Sequence, residues 1–326
     1  MLTRRLLLGT LPALSLSSVL AGPAGAQAWP NKPVRVILPG TVGGLVDIGA
    51  RSVSDALHKE LGQPVLIDPR PGANGLLAAQ TFLAAPADGH TLYLTVSAHV
   101  ALPFLMKVPF DVMADFKPIA MIGVSTALLC VPPSSPASTV AEFVAHAKAH
   151  PGKLNYLNSG NGTGSHLVPE LLKMKYGLDV TSIYYKGLPP GVQDLLGDRL
   201  DVAVVSAPLV VHHVKAGRLK ALAVVAPQRL PELPDVATMT EQGAGDCEIR
   251  TSLPLYGHKS LPDGIVERAN AAMVAALADP EALRRLEAAY IQPLPMRPSE
   301  LADLLGREHL RLGRLIEQLG LKPDGS

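Results

Sequence analysis

Short apolar runs alternate with longer stretches of helical period along most of this chain. Val34–Leu38, Val65–Ile67 and Thr91–Val96 read as strands buried on both faces, and Ile48–Leu61 and Leu76–Ala85 carry apolar residues at helical spacing between them. The strand series continues at Leu128–Val131, Leu154–Leu157, Ser182–Tyr185, Val202–Val205 and Ala221–Val225. Helical stretches at Val140–Ala149, His166–Tyr176, Gly191–Leu196 and Val210–Ala216 are interleaved with it, set off by glycine and proline. From Asp263 onward the pattern is helical only, in Asp263–Ala278, Pro280–Ala289 and Pro298–Gly320, with Leu/Ala stripes opposite charged faces. Strand–helix alternation of this kind predicts an α/β fold with doubly wound sheets.

The first residues break the pattern. Arg4 and Arg5 precede an apolar stretch, Leu6 to Leu20, and Ala26-Gln-Ala28 is a small-x-small cleavage site before Trp29. The stretch is shorter than the ~20 residues a membrane span needs. It is expected to be an export signal at residues 1–28, used by the general secretory route. Without Arg4 and Arg5 the 29 Lys and Arg become 27 against 28 Asp and Glu, a net charge of −1. A nearly neutral chain argues against nucleic acid or an anionic membrane as partner. Roughly 300 remaining residues exceed one comfortable core and suggest two lobes. Aromatics at 4% make an aromatic-lined sugar or base groove a poor expectation. Cys130 and Cys247, far apart in an oxidising compartment, leave a disulfide and two buried thiols equally open.

Doubly wound sheets bind ligands beyond the carboxyl ends of their strands. The first such end is Pro39, followed by a loop holding Gly43 and Gly44 and by a helix starting near Leu45 to Asp47. That geometry offers free backbone N–H groups and a positive dipole end to an anion. The other strand ends contribute Thr95, Ser97 and His99, then Asn158-Ser-Gly-Asn-Gly-Thr-Gly-Ser-His166, then Lys186 and Gly187, then Ser206 and Pro208. Hydroxyls, glycines and one lysine can hold a carboxylate by neutral donors, with Lys186 as a point charge. Each feature also has an ordinary structural reading. Gly43 and Gly44 can simply make a turn, Asp47 can serve the helix dipole, His166 can cap or pack, and Lys186 can be solvated.

Catalytic readings find less. Gly160-x-Gly162 is followed by Gly164, one place early for a dinucleotide loop, although Asp179 sits at a suitable distance. Ser165 is followed by His166 and Leu167, so there is no nucleophile elbow. No Walker loop and no metalloprotease helix are present, and His212-His213 lacks a carboxylate at metal-ligand spacing. Neither a cofactor nor a metal is expected.

The order of motifs is specific where the single motifs are not. The chain resembles the Bug family, the extracytoplasmic solute receptors of tripartite tricarboxylate transporters, from Trp29-Pro-Asn-Lys-Pro-Val-Arg35 almost to its end. The resemblance rests on Pro39 with Gly43-Gly44 and Asp47, on Leu61-Gly-Gln-Pro-Val-Leu66 with Pro69-Arg-Pro-Gly-Ala-Asn-Gly75, and on Ala87-Asp-Gly-His-Thr-Leu92. It continues through Asp115-Phe-Lys-Pro-Ile119, Ala147 to Tyr156, Ser159 to Leu167, Tyr185-Lys-Gly187, Gly217 to Val224 and Leu233-Pro-Asp-Val236.

The resemblance implies two α/β lobes joined by crossing strands, closing on a ligand like a flytrap. It places residues 29–129 with 252–326 in one lobe and residues 130–251 in the other; the chain's own polar loops Pro132–Ser138 and Gly243–Asp246 are where it could pass between them. A ligand carboxylate is then expected between Gly43, Gly44 and Asp47 on one side and Ser159, Gly160, Gly162, Thr163 and His166 on the other. Thr95, Ser97, Tyr185, Lys186 and Ser206 are expected as neighbours whose contacts vary with substrate. Cys130 and Cys247 are expected to come close where strands cross.

The implied function is a periplasmic, monomeric receptor without catalytic activity. It would take a dicarboxylate, an acidic amino acid or an aromatic acid and deliver it to a large and a small membrane subunit. A sensor for a signalling kinase and an exported enzyme acting on a small carboxylate are the alternatives. Gly40-Thr-Val42 stands where the family has Phe-Pro-Pro, Val46 where it has a small hydroxyl residue, Ser252 where it has an aromatic and Pro254 where it has glycine, so the pocket wall differs.

Overall fold

Two sheets, each with helices on both faces, account for the alternation along the chain. The computed structural model describes residues 29–321, and the expected export signal at residues 1–28 lies outside them. The chain starts with β1 (Val34–Leu38), α1 (Leu45–Leu61), β2 (Val65–Pro69), α2 (Leu76–Leu83), β3 (Thr91–Leu94), the short α3 (Leu102–Leu105) and β4 (Phe116–Ser125). It then enters β5 (Ala127–Val131), α4 (Val140–Ala149), β6 (Leu154–Asn158), α5 (Gly164–Tyr176), β7 (Val180–Tyr184), α6 (Leu188–Leu196), β8 (Ala203–Ser206), α7 (Ala207–Lys215) and β9 (Lys220–Val225). It returns through β10 (Thr251–His258), α8 (Asp263–Ala278), α9 (Pro280–Ala288), β11 (Ile291–Pro293) and α10 (Pro298–Gln318).

The first sheet runs β11-β4-β10-β3-β1-β2. β1 pairs in parallel with β2 and β3, whereas β10 lies antiparallel between β3 and β4. The second sheet has β5 antiparallel between β8 and β9, and the parallel pair β6–β7 joins it through a bridge from Tyr156 to Val202. The sheets are therefore mixed. β4, β10 and β11 are strands that the apolar pattern did not disclose. β4 and β10 carry Pro118 and Pro254, residues that cannot donate to a ladder. The structure accommodates them beside register shifts, one between Ser252 and Pro254 and one where Pro118 faces Tyr256.

The alternation within each strand decides which core a side chain joins. Val34, Val36 and Leu38 pack with α1, α8 and α9, while Ile37 faces Phe82, Tyr93 and Phe116 on the opposite side. In β5, Leu129 and Val131 pack with Phe143 of α4 and Leu167 of α5, and Leu128 and Cys130 pack with Val192 and Leu195 of α6. The expected approach of the cysteines fails for this reason. Cys247 lies in the cluster with Leu129, across the sheet from Cys130, and both are free buried thiols.

The chain changes sheet at Thr126, between β4 and β5, rather than in the loop Pro132–Ser138. It returns just after Gly245–Cys247, where β10 begins. One core cluster runs from Ile37 and Tyr93 in the first sheet to Leu129 and Leu167 in the second, so the lobes are apposed. Among the described residues no helix is long and apolar enough to cross a membrane.

Candidate functional site

The N-termini of α1 and α5 open into the same cleft, and neither has a side-chain cap. Gly44, the N-cap of α1, has no side chain to offer; Thr163, the N-cap of α5, makes no cap bond. α4 and α9 are capped, with Thr139 accepting from Glu142 N at 3.1 Å and Asp279 accepting from Glu281 N at 3.0 Å, whereas α2, α3, α6, α7 and α8 also lack a side-chain cap, so it is the shared cleft that sets α1 and α5 apart. The first N–H groups of a helix have no intrahelical partner, so the open ends leave donors available at the cleft.

Local bonds hold both loops in shape. Asp47 is 2% exposed and its Oδ2 accepts from Gly43 N at 2.9 Å. Arg51 Nε donates to both carboxylate oxygens at 3.0 Å, which neutralises the buried charge one turn into α1. Gly43 is at φ +75°, a left-handed conformation that glycine adopts without strain. In the second loop Ser165 Oγ accepts from Ser159 N at 3.0 Å and lies 2.8 Å from Ser159 Oγ and 2.9 Å from Thr163 Oγ1. Thr163 Oγ1 donates to Gly160 O at 2.7 Å, tying the hydroxyl to the preceding loop. His166 Nδ1 accepts from Gly162 N at 3.1 Å, and Asn158 Oδ1 accepts from Gly160 N at 2.9 Å.

The cavity between the lobes measures about 170 Å³. A cavity of ~150 Å³ takes a six-carbon ring, so this one suits a ligand of about that size or slightly larger. Gly44, Thr95, Ser97, Ser159, Gly162, Thr163, Lys186 and Ser206 line it, as expected from their strand ends. Gly43, Asp47, Gly160, His166 and Tyr185 do not line it. Gly43, Asp47 and His166 organise the loops, as above. A Cβ at Gly160 would lie 2.7 Å from Asn74 Oδ1, so the bare glycine lets a first-lobe side chain pass. Tyr185 turns its hydroxyl to Asp194 Oδ2 at 2.6 Å, and burial together with that acceptor pushes its hydroxyl up to about 12. Its neighbour Tyr184 lines the cavity instead, because adjacent strand residues face opposite ways.

Thr41, Asn74, Tyr93, Arg250, Glu308 and Arg311 also line the cavity, although none was expected as a ligand contact. Thr41 Oγ1 is buried without a partner. Asn74 Nδ2 donates to Asn161 O at 3.2 Å across the cleft, and it sits in a run of positive φ from Gly72 to Gly75 within one of the quoted motifs. His99, also in the lining, is 3% exposed, and neither ring nitrogen has a partner. It lies 4.5 Å from the Phe116 ring and 5.4 Å from Tyr93, and burial pushes it down to about 3, so the ring is neutral. Ser252 does not face the cavity; its N–H donates to Ser97 Oγ at 3.3 Å, and Pro254 O accepts from Thr95 N at 3.2 Å. β10 thus supports the loop after β3 with backbone groups.

Arrangement and charge suit reversible capture of an anion by backbone donors, hydroxyls and cations. Among the described residues no group of three or more His, Cys, Asp or Glu could hold a metal ion.

Comparison with known proteins agrees with this chemistry. A family model described as the tripartite tricarboxylate transporter family receptor matches residues 49–321. A protein of Pseudomonas sp., the UPF0065 protein in the tcbD-tcbE intergenic region, is 32% identical over 98% of this chain and 96% of its own length. MatC of Rhodopseudomonas palustris with bound malate superposes with a TM-score of 0.83 at 29% identity, covering 88% of this chain and 100% of that one. A second R. palustris protein, solved with adipate, gives 0.86 at 29% identity, covering 90% and 99%.

Proposed function

The chain belongs to the tripartite tricarboxylate transporter receptor family, and from that membership we propose that it is an exported, monomeric receptor for a small carboxylate. It binds the acid between its lobes and delivers it unchanged to the membrane subunits of such a transporter. The observation that carries this reading is the pair of uncapped helix N-termini, α1 at Gly44 and α5 at Thr163, facing one small cavity from opposite lobes. Each offers N–H donors and a positive dipole end to a carboxylate. Both can grip one ligand only when the lobes are apposed, so the ligand favours the closed arrangement by its differential affinity. Malate and adipate in two solved relatives support the ligand class.

Dividing the chain where it changes sheet puts residues 29–125 and 251–321 in one lobe and 127–249 in the other. The mature protein begins near Trp29 in the periplasm. Gly43 and Asp47 shape the first anion loop and His166 the second, while Thr95, Ser97, Lys186 and Ser206 meet the rest of the ligand.

Thermal unfolding against a panel of small acids tests the proposal. A ligand at a hundredfold its Kd adds about 2.7 kcal/mol of stability, and the midpoint rises accordingly. A shift with one class of acid, with the acid recovered unchanged, is the expected result. No shift with any carboxylate, together with no acid released on denaturation, refutes it.

A further inference from the structure

We infer that Asn74 is a latch between the lobes: its carboxamide crosses the cleft, seats the second glycine loop and holds the lobes closed by a contact that involves no ligand. Asn74 Nδ2 donates to Asn161 O at 3.2 Å and to Met106 Sδ at 3.9 Å, so one amide ties the second lobe's loop to the end of α3 in the first. A Cβ at Gly160 would lie 2.7 Å from Asn74 Oδ1. A Cβ at Gly162 would lie 2.8 Å from Leu105 Cδ1 and 3.5 Å from the Ala101 Cβ. The turn Gly160-Asn161-Gly162 thus sits in a socket made by Asn74, Ala101 and Leu105, and the bare glycines on either side of Asn161 are what let it enter. From inside the second lobe, Asn158 Nδ2 donates to Asn161 Oδ1 at 3.0 Å. The loop that opens α5 is fixed from both lobes at once.

The backbone at Asn74 points the same way. Asn74 has φ +53° and follows Ala73 at φ +45°, between Gly72 and Gly75, which also have positive φ. Asparagine tolerates left-handed backbone better than most residues, but glycine tolerates it best. Backbone geometry alone would be met by glycine at 74, as it is at 72 and 75. What glycine lacks is the carboxamide, and the partner of that carboxamide belongs to the other lobe. The bond forms only when the lobes are apposed, because the segments carrying Asn74 and Asn161 are joined through the crossing points beside Thr126 and Thr251. Asn74 is half-buried at the cavity wall, so the bond is partly shielded from water. A neutral hydrogen bond made in the closed form and exchanged for water in the open one shifts the closed-to-open ratio by roughly fivefold. A ligand that needs the closed form gains affinity by up to that factor, since its apparent affinity scales with the closed fraction.

The test is the distance between the lobes, measured by pulsed electron resonance with one spin label on an exposed residue of each lobe. The protein is first freed of any acid carried through purification, as checked by denaturing mass spectrometry. Wild type is expected to show a closed population, and Asn74→Gly to lower its closed-to-open ratio by roughly fivefold. Glycine suits φ +53°, so this variant keeps its fold, and a urea melt checks it. Gly160→Ala supplies a second handle. It opens the lobes of wild type because its Cβ meets Asn74 Oδ1, but in the Asn74→Gly background that clash is gone. The strain of alanine at φ +153° is common to both backgrounds and cancels, so the double variant is expected to open less than the two single effects combined. A purely structural role for Asn74 would lower stability without this coupling. A wild type wholly open, equal distance distributions for wild type and Asn74→Gly, or effects of Gly160→Ala that are the same in both backgrounds overturns the inference. No acid enters this measurement, so its outcome is separate from that of the ligand panel.

Discussion

Gly44→Asp separates the anion site from the fold. Gly44 has extended backbone at φ −79°, so a side chain is sterically allowed there, and its Cβ would lie 3.1 Å from Thr41 O, close enough to require a small shift. Aspartate is a favoured N-cap residue, and replacing glycine by it at this position changes helix stability by only a few tenths of a kcal/mol. Its carboxylate would take the first N–H groups of α1, the donors proposed for the ligand. It would also place a negative charge within ~4 Å of a bound carboxylate, worth about 4 kcal/mol of repulsion at an effective dielectric constant near 20. Asp47 does not already exert this repulsion, because Arg51 neutralises it. The repulsion and the lost donors overlap, so a loss of ~3–4 kcal/mol is expected, roughly a few hundred- to a thousandfold in Kd. Calorimetry with the wild-type ligand measures it, and a urea melt checks the fold. Gly44→Ser competes for the same N–H groups without a charge, so its loss should be far smaller. If Gly44→Asp stays within about threefold of wild type, the start of α1 is not an anion site and the reasoning is wrong.

Gly162→Ala probes closure. Gly162 is at φ +83°, where alanine costs about 1–2 kcal/mol, and its Cβ would lie 2.8 Å from Leu105 Cδ1 of the other lobe. Small-angle scattering at saturating ligand should find the variant less compact than wild type; equal compaction contradicts it. Thiol titration should find no reactive cysteine in the native protein at pH 8, since burial pushes Cys130 up to about 12 and Cys247 to about 11. The unfolded, unreduced protein should give two thiols, and none would mean a disulfide. His99 bears on pH dependence. Its folded value near 3 lies below the ordinary 6.5, so the unfolded chain binds the proton first and stability falls as pH drops from 6.5 toward 3. His99→Phe should remove up to about 1.4 kcal/mol per pH unit from that slope, measured by denaturant melts; an unchanged slope contradicts a buried neutral ring.

Much of the site was legible because helix starts and glycine turns are local. The loop from Pro39 to Leu45 and the loop from Ser159 to His166 announce themselves by glycine spacing and the strand before each. Eight of the proposed residues line the cavity, four of them (Gly44, Ser159, Gly162 and Thr163) from these two loops and the rest from other strand ends. Tyr185 was misplaced because one residue of strand phase decides which face a side chain takes, and a strand end carries little pattern to set the phase. Arg250, Glu308 and Arg311 carry no local mark: each reaches the cavity only through the folding that brings distant segments together.

The sequence by itself determined the strand–helix alternation apart from β4, β10 and β11, the export segment as an expectation, the two glycine loops and, through the order of its motifs, the family. These rest on spacing along the chain, which hydrophobic period and backbone chemistry express directly. Tertiary structure alone decided that β10 lies antiparallel between β3 and β4, that Cys130 and Cys247 sit on opposite sides of a sheet, and that Lys186 and Arg250 face one cavity. Strand order, register and lobe apposition depend on contacts between residues far apart in sequence. In β4 and β10 the prolines weaken the local strand signal, and it is burial between neighbouring strands that makes them strands.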